Sequence, residues 1–212
     1  MKLPRVIIAD DHVLIVEALC SLLQRHCDVV ATVADGRALL ESAPKLKPDV
    51  IVLDVAMPLL NGLDAGRQLK EKMPDVKLIF ITMSPDLDLA GRALNAGASG
   101  YLLKSSAASE LFLAIKQALK GRTYVTATIA HGLEEMFIRD PRPNRRPREI
   151  TPREREVIQL LAEGKTMKEA AYILKVSRRT IAFHKYRVME HLGIKNTADL
   201  VQFAIHNHML VN

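Results

Sequence analysis

The sequence predicts an α/β fold, a doubly wound parallel sheet, followed by a smaller all-α domain. Three observations carry this. Over residues 1–120, five short apolar runs alternate with five helix-length amphipathic segments, the signature of parallel strands covered by helices on both faces. The apolar runs are nearly continuous rather than alternating, as strands buried on both sides require. The last 62 residues contain helical periodicity and helix caps alone.

The five strands are expected at 5–9, 29–33, 50–53, 78–82 and 100–103. The helices between them are expected near 12–26, 36–46, 63–72, 86–96 and 107–120. The segments "ADG", "LKPD", "MPD" and "NAGASG" provide turns between these elements. Residues 139–149, "RDPRPNRRPRE", place three prolines and five arginines in eleven positions and cannot build a core, so they read as linker. A short helix near 127–138 is expected just before them. The division is therefore residues 1–121, a connecting segment 122–148, and residues 149–212. In the last part, Thr151 is an N-cap, Pro152 opens the helix and Glu154 completes a capping box. That helix is expected to stop at Gly164. Further helices are expected at about 167–174, 178–191 after the Ser177 cap, and 197–207.

Charge divides the chain in the same way. Residues 1–120 hold 14 basic and 14 acidic side chains, whereas residues 151–212 hold 10 and 6. A neutral module is thus joined to one suited to a polyanion. No apolar stretch approaches the roughly 20 residues of a membrane span, and the opening "MKLPRVIIADD" lacks a secretory apolar block. A cytoplasmic protein with no membrane contact is expected. Cys20 and Cys27 fit no zinc spacing and read as helix-packing residues.

The chemistry gathers at the carboxyl ends of the strands, where open α/β sheets bind ligands. Asp10 and Asp11 end the first strand, Asp54 the third, Thr82 the fourth, and Lys104 follows the fifth. Unpaired, the acids would raise one another's pKa. A hard divalent cation such as Mg²⁺ (or Mn²⁺) takes oxygen ligands of this kind. A carboxylate beside such an ion, with a lysine and a hydroxyl aimed at it, can accept a phosphoryl group.

The pieces "ADDH", "VLDVAMPLLNG", "ITMS" and "AGASGYLLK" resemble the receiver domain of response regulators, with its flavodoxin-like five-stranded sheet. The resemblance implies that Asp54 is the phosphoacceptor and that Asp10, Asp11, Asp54 and the carbonyl of Ala56 bind the metal. It matches Thr82 and Lys104 to the switch hydroxyl and phosphate-pairing lysine, Tyr101 to the switch aromatic, and Pro58 and Gly62 to the loop after the acceptor. Ala56 and Met83 supply no polar side chain to orient an attacking water, so slow self-dephosphorylation is expected. Ala56 also stands where a phosphatase of the haloacid-dehalogenase type would need a second aspartate, so no enzyme is expected.

In "SRRTIAFHKYRVMEHLGI", Ile181, Val188 and Leu192 share one side of a helix. Arg179, Phe183, Tyr186, Arg187 and Glu190 lie opposite, with Ala182 on the flank. A face rich in arginine and aromatics after a short helix and tight turn suits the DNA major groove. Arg178 and Lys185 are placed to grip phosphates, and Ala182 and Phe183 to touch thymine methyls. Residues 151–201 resemble a LuxR-type helix-turn-helix, and the whole chain resembles regulators of the NarL/FixJ class. That likeness implies phosphoryl transfer from a sensor histidine kinase, a homodimer when phosphorylated, and DNA as partner. The alternative is a constitutively dimeric DNA-binding regulator whose receiver is never phosphorylated.

Two motifs mislead. "EGKT" echoes a phosphate-binding loop, but Gln159 replaces its first glycine and a helix precedes it. His206 and His208 stand two apart, so on a helix they point in different directions.

Overall fold

The computed structural model describes residues 2–139 and 150–210. The chain divides into two compact units; among the described residues the first holds ten strands and helices plus a two-element extension, the second four helices.

The first unit runs β1 (Arg5–Ala9), α1 (Val13–Leu23), β2 (Asp28–Val33), α2 (Gly36–Leu46), β3 (Val50–Asp54), α3 (Gly62–Lys72), β4 (Lys77–Thr82), α4 (Leu87–Asn95), β5 (Gly100–Leu103) and α5 (Ala107–Leu119). All described strand pairs are parallel, in the order β2-β1-β3-β4-β5, with a further short strand, β6 (Tyr124–Val125), beyond β5. The sheet therefore has six strands where the sequence suggested five. The additional strand, β6, and α6 (Ala127–Arg139) both fall in the segment read as linker. Two residues are too short a run to show a period, which is why β6 escapes a sequence reading. It is fixed by pairing Tyr124 with Gly100 and Val125 with Tyr101. The Thr126 hydroxyl then donates to Glu110 of α5 at 2.7 Å and accepts from the Leu103 N–H at 3.3 Å. The arginine- and proline-rich segment itself lies largely outside the described residues.

Alternation along the strands sends side chains to two cores. Val6, Ile8, Val50, Val52, Ile79, Ile81 and Leu102 pack against Leu19 and Leu23 of α1 and Leu111, Ala114, Ile115 and Ala118 of α5. The intervening Ile7, Ile51, Leu53, Leu78 and Phe80 are fully buried on the other face. There α3 lies so close that a Cβ at Gly66 would sit 2.7 Å from the Phe80 ring. Caps start the helices: Asp35 accepts from two N–H groups of α2, Asn61 from α3, and Asp86 from two of α4.

The second unit comprises α7 (Pro152–Ala162), α8 (Met167–Ile173), α9 (Arg178–Leu192) and α10 (Thr197–His206). Thr151 and Glu154 form the expected capping box. Thr166 and Glu169 form a second at α8, so "EGKT" is a helix stop and start, with Gly164 in the left-handed region at φ 82°. Val157, Leu160, Ala170, Leu174 and Ile181 make one small core, and Ile158, Val188, Leu200, Ala204 and Met209 another. No described helix is long and apolar enough to cross a membrane.

Gly62 positions the loop after β3. Its N–H donates to the Val55 carbonyl at 2.8 Å, and a Cβ there would overlap the backbone carbonyl of Asp54. Backbone cannot yield as a flexible side chain can. Gly62→Ala is expected to destabilise the first unit by about 1–3 kcal/mol, as overpacking does. Urea unfolding of the variant measures this, and an unchanged midpoint would contradict it.

Candidate functional site

The parallel register delivers four strand ends to one edge. Asp10 directly follows β1, Asp54 ends β3, Thr82 ends β4 and Lys104 directly follows β5. Pairing of Asp54 with Ile81 and of Thr82 with Leu103 brings these ends level, and the Lys104 N–H donates to the Thr82 carbonyl at 2.7 Å.

The Lys104 side chain is 4% exposed and reaches both acids: Nζ lies 2.8 Å from Asp10 Oδ2 and 2.8 Å from Asp54 Oδ2. Asp10 and Asp54 are themselves buried, and Asp11 is half-buried. His12, which the sequence reading passed over, completes the group. Its Nδ1 is 3.0 Å from Asp10 Oδ1 and 3.1 Å from Asp11 Oδ1. One ring nitrogen carries at most one hydrogen, so it cannot satisfy both oxygens. Asp11 Oδ1 is left buried without a hydrogen bond. Its adjacency to two acids in "DDH" was the available signal. One ligand atom from each of Asp10, Asp11, His12 and Asp54 lies within 4.8 Å of the others. This is an acidic cluster able to hold a metal ion.

Two predicted residues do not join the cluster: Thr82 at the strand ends, and Tyr101 deeper in the sheet, paired with Phe80. The Thr82 hydroxyl accepts from the Ser84 N–H at 3.1 Å, and Tyr101 is wholly buried in β5. Among the described residues neither hydrogen-bonds the carboxylates. Burial first, then the charges of Asp86 and Asp54, push the Tyr101 hydroxyl well above its ordinary range, with Thr82 opposing. Ala56 is half-buried, and its N–H donates to Asp54 Oδ1 at a long 3.4 Å. Met83, next to Thr82, is 75% exposed.

The charges do not balance: three carboxylates face one ammonium. Burial disfavours the Lys104 charge, but hydrogen bonds and attraction from Asp10 and Asp54 outweigh it and raise its pKa. The Asp54 pKa is raised as well, but there burial wins and the neutral form is favoured. The net effect takes its carboxyl from 3.8 to about 6: burial pushes it up most, the Lys104 hydrogen bond and charge pull against that, Asp10 adds to the rise, and the Ala56 N–H opposes it.

In the second unit, α9 buries Ile181 and Val188 and exposes Arg178, Arg179, Phe183, Tyr186 and Arg187, with Ala182 and Lys185 half-buried. Ser177 caps the helix by accepting from the Thr180 N–H, and Gly193 ends it at φ 68°. The seven residues expected to face DNA thus lie on the outward side or flank of one helix. The Arg187 Nε lies 3.4 Å from Oε1 of Glu154, a partner that sequence distance had concealed.

The Asp54 environment sets a pH dependence in metal-free solution. Between pH 3.8 and about 6, the folded state keeps a proton that the unfolded chain has released, so stability falls as pH rises through that window. The cost is complete above it, on the order of 3 kcal/mol. Asp54→Asn is therefore expected to stabilise the protein at pH 7.5 in EDTA by up to about that amount. At pH 4 it should have little effect. Denaturant midpoints at the two pH values check this.

Comparison with known proteins accords with both units. Residues 6–116 match the family described as "Response regulator receiver domain", and residues 148–204 match "Bacterial regulatory proteins, luxR family". The oxygen regulatory protein NreC of Staphylococcus aureus is 34% identical over 214 residues, covering 97% of this chain and 99% of that protein. The RcsB response regulator of Salmonella typhimurium is similar in structure, with a TM-score of 0.64 and 28% identity over 96% of this chain and 97% of that one. A two-component response regulator RcsB–DNA complex gives a TM-score of 0.60 at 28% identity, over 95% and 98% of the two chains. A receiver-type sheet with its acids at the strand ends, joined to a helix-turn-helix of the second family, makes this chain a member of the two-component response regulators of the NarL/FixJ class.

Proposed function

We propose that this protein is a cytoplasmic transcription regulator in which a sensor histidine kinase donates a phosphoryl group to Asp54, promoting dimerisation and DNA binding through α9. The observation that carries the reading is the lysine-bridged carboxylate pair, Asp10–Lys104–Asp54, with both contacts at 2.8 Å. An ammonium already held against the acceptor carboxylate is in position to neutralise an arriving phosphoryl group. Asp54 at the end of β3 presents its carboxylate at the open sheet edge, the place where this topology receives ligands.

The acidic group suits a hard divalent cation of the Mg²⁺ or Mn²⁺ type. It offers carboxylate oxygens, including the buried Asp11 Oδ1 that lacks a donor. Asp10, Asp11 and Asp54 would hold the ion, with the Ala56 carbonyl as a further oxygen. When bound, it would supply positive charge against the transferring phosphoryl oxygens. It would also hold Asp54 ionised at neutral pH, against the burial that favours its proton.

Thr82 is the hydroxyl that answers the new charge. Leaving the Ser84 N–H for a phosphoryl oxygen would move the end of β4 and the start of the following loop. Tyr101, buried behind Thr82 among apolar groups, is the side chain whose packing would follow. A two-state shift of this surface toward a dimer fits control of DNA binding by population. Two helix-turn-helix units on a two-half-site operator would then gain from effective concentration. Arg178, Arg179 and Lys185 would contribute phosphate contacts.

Incubation with acetyl phosphate and Mg²⁺ is expected to add one phosphoryl group by intact mass, and Asp54→Asn to abolish it. Dimerisation and DNA affinity measured on the same sample should rise with the modified fraction. A protein that takes no phosphate, or that dimerises and binds DNA equally without it, would favour the constitutive alternative. Hydrolysis of the phosphorylated form should be slow, because neither Ala56 nor the exposed Met83 can orient a water. A half-life of seconds in Mg²⁺ would contradict that expectation.

A further inference from the structure

The outward face of α9 carries two large apolar groups that a solvated surface would not favour. Phe183 is 58% exposed and Tyr186 60% exposed. Each ring has a cation across it. The Arg187 guanidinium lies 5.9 Å from the Phe183 centroid, and the Lys185 ammonium 5.7 Å from the Tyr186 centroid. Cation–ring attraction of this kind holds both partners in place.

Arg187 is held a second time. Its Nε meets Glu154 Oε1 at 3.4 Å, and the Glu154 side chain is 5% exposed. The other Glu154 oxygen, Oε2, accepts from the Thr151 N–H at 2.8 Å and from the Thr151 hydroxyl at 2.7 Å. The α7 capping box thus fixes Glu154, Glu154 fixes Arg187, and Arg187 backs the Phe183 ring. With Nε 3.4 Å from Glu154 and its central carbon 5.9 Å from the Phe183 centroid, the guanidinium is drawn toward α7 and the ring, although the Arg187 side chain stays 56% exposed. By contrast, Arg178 and Arg179 are exposed and have no ion pair among the described residues, which leaves them available to phosphate.

Between these cations the outward face offers the exposed Phe183 ring, edge-on to His184, with the half-buried Ala182 on its flank. In the major groove the apolar feature of a base edge is the thymine 5-methyl group. We propose that Phe183 and Ala182 select a thymine in each half-site through its 5-methyl group. Arg187 is a positioning residue that holds the ring. It is not a base or phosphate contact. This deepens the assignment of α9 as the DNA-reading helix and rests on that assignment.

The test uses full-length protein phosphorylated with acetyl phosphate and a random-sequence duplex library enriched by binding. The selected duplex is remade with each thymidine in turn replaced by deoxyuridine, which removes only the 5-methyl group. At one thymine per half-site, affinity is expected to fall about 3- to 5-fold, the worth of one buried methyl. Phe183→Ala should erase the distinction between thymidine and deoxyuridine at that position. Arg187→Ala should weaken the same distinction while leaving the slope of log affinity against log salt unchanged. Arg179→Ala should reduce that slope by about 0.9. Circular dichroism of the variants confirms the fold, since all three substituted side chains lie outside the core. Indifference to deoxyuridine at every position, or discrimination that survives Phe183→Ala, overturns the inference while leaving α9 as the DNA reader. A loss of salt slope in Arg187→Ala overturns the positioning role. Failure to enrich any duplex sinks the DNA-reading assignment itself.

Discussion

The first unit is organised around a buried ammonium shared by two buried carboxylates. Charges of this kind are expensive to remove from water, and the expense is met only by close pairing. Lys104 can pair with Asp10 and Asp54 only if β5 lies beyond β4, β4 beyond β3, and β1 on the other side of β3, which is the strand order found. The pairing is also incomplete, because one cation serves a cluster of three acids. On the proposed reading, that deficit is what makes the site receptive. A structure that fully neutralised its own acids would have no electrostatic reason to accept a metal ion or to respond when charge arrives at Asp54.

Helix starts repeat the same economy on a smaller scale. Carboxylates and amides at the N-termini of α2, α3, α4 and α10, and threonine hydroxyls backed by glutamates at α7 and α8, satisfy backbone N–H groups that the helix leaves open. Glu154 does more than cap. Burial works against its charge, yet the Thr151 N–H and hydroxyl, then Arg187 and His184, together hold its carboxyl below the ordinary range. A carboxylate so firmly ionised is a fixed anchor for a cation on another helix, and it couples the start of α7 to the outward face of α9.

Much of this was legible in the sequence because it is local or periodic. Val6–Ile–Ile–Ala and Val50–Ile–Val–Leu read as doubly covered strands, and the acids that end them mark the candidate edge without any knowledge of contacts. Thr151, Pro152 and Glu154 announce a helix by spacing alone. What stayed hidden depends on distance along the chain. Nothing in "TYVTA" reveals a strand, since β6 exists only because Gly100 and Tyr101 offer it a partner. The Glu154–Arg187 contact spans too many residues for any local pattern. His12 was visible beside its acids, but its reach to both Asp10 and Asp11 is a matter of rotamer and fold.

The position of β6 has a practical bearing on where the first unit ends. A receiver cut at residue 121 would lose the strand that covers β5 and the Thr126 hydroxyl that joins Glu110 to Leu103. Helix α6 would go too, although Gly132 allows it to approach Leu87 closely at the start of α4. Such a fragment would carry a naked sheet edge directly beside Tyr101 and Lys104, inviting strand addition by a neighbour. Self-association seen in so short a fragment would report the scissors rather than the signal.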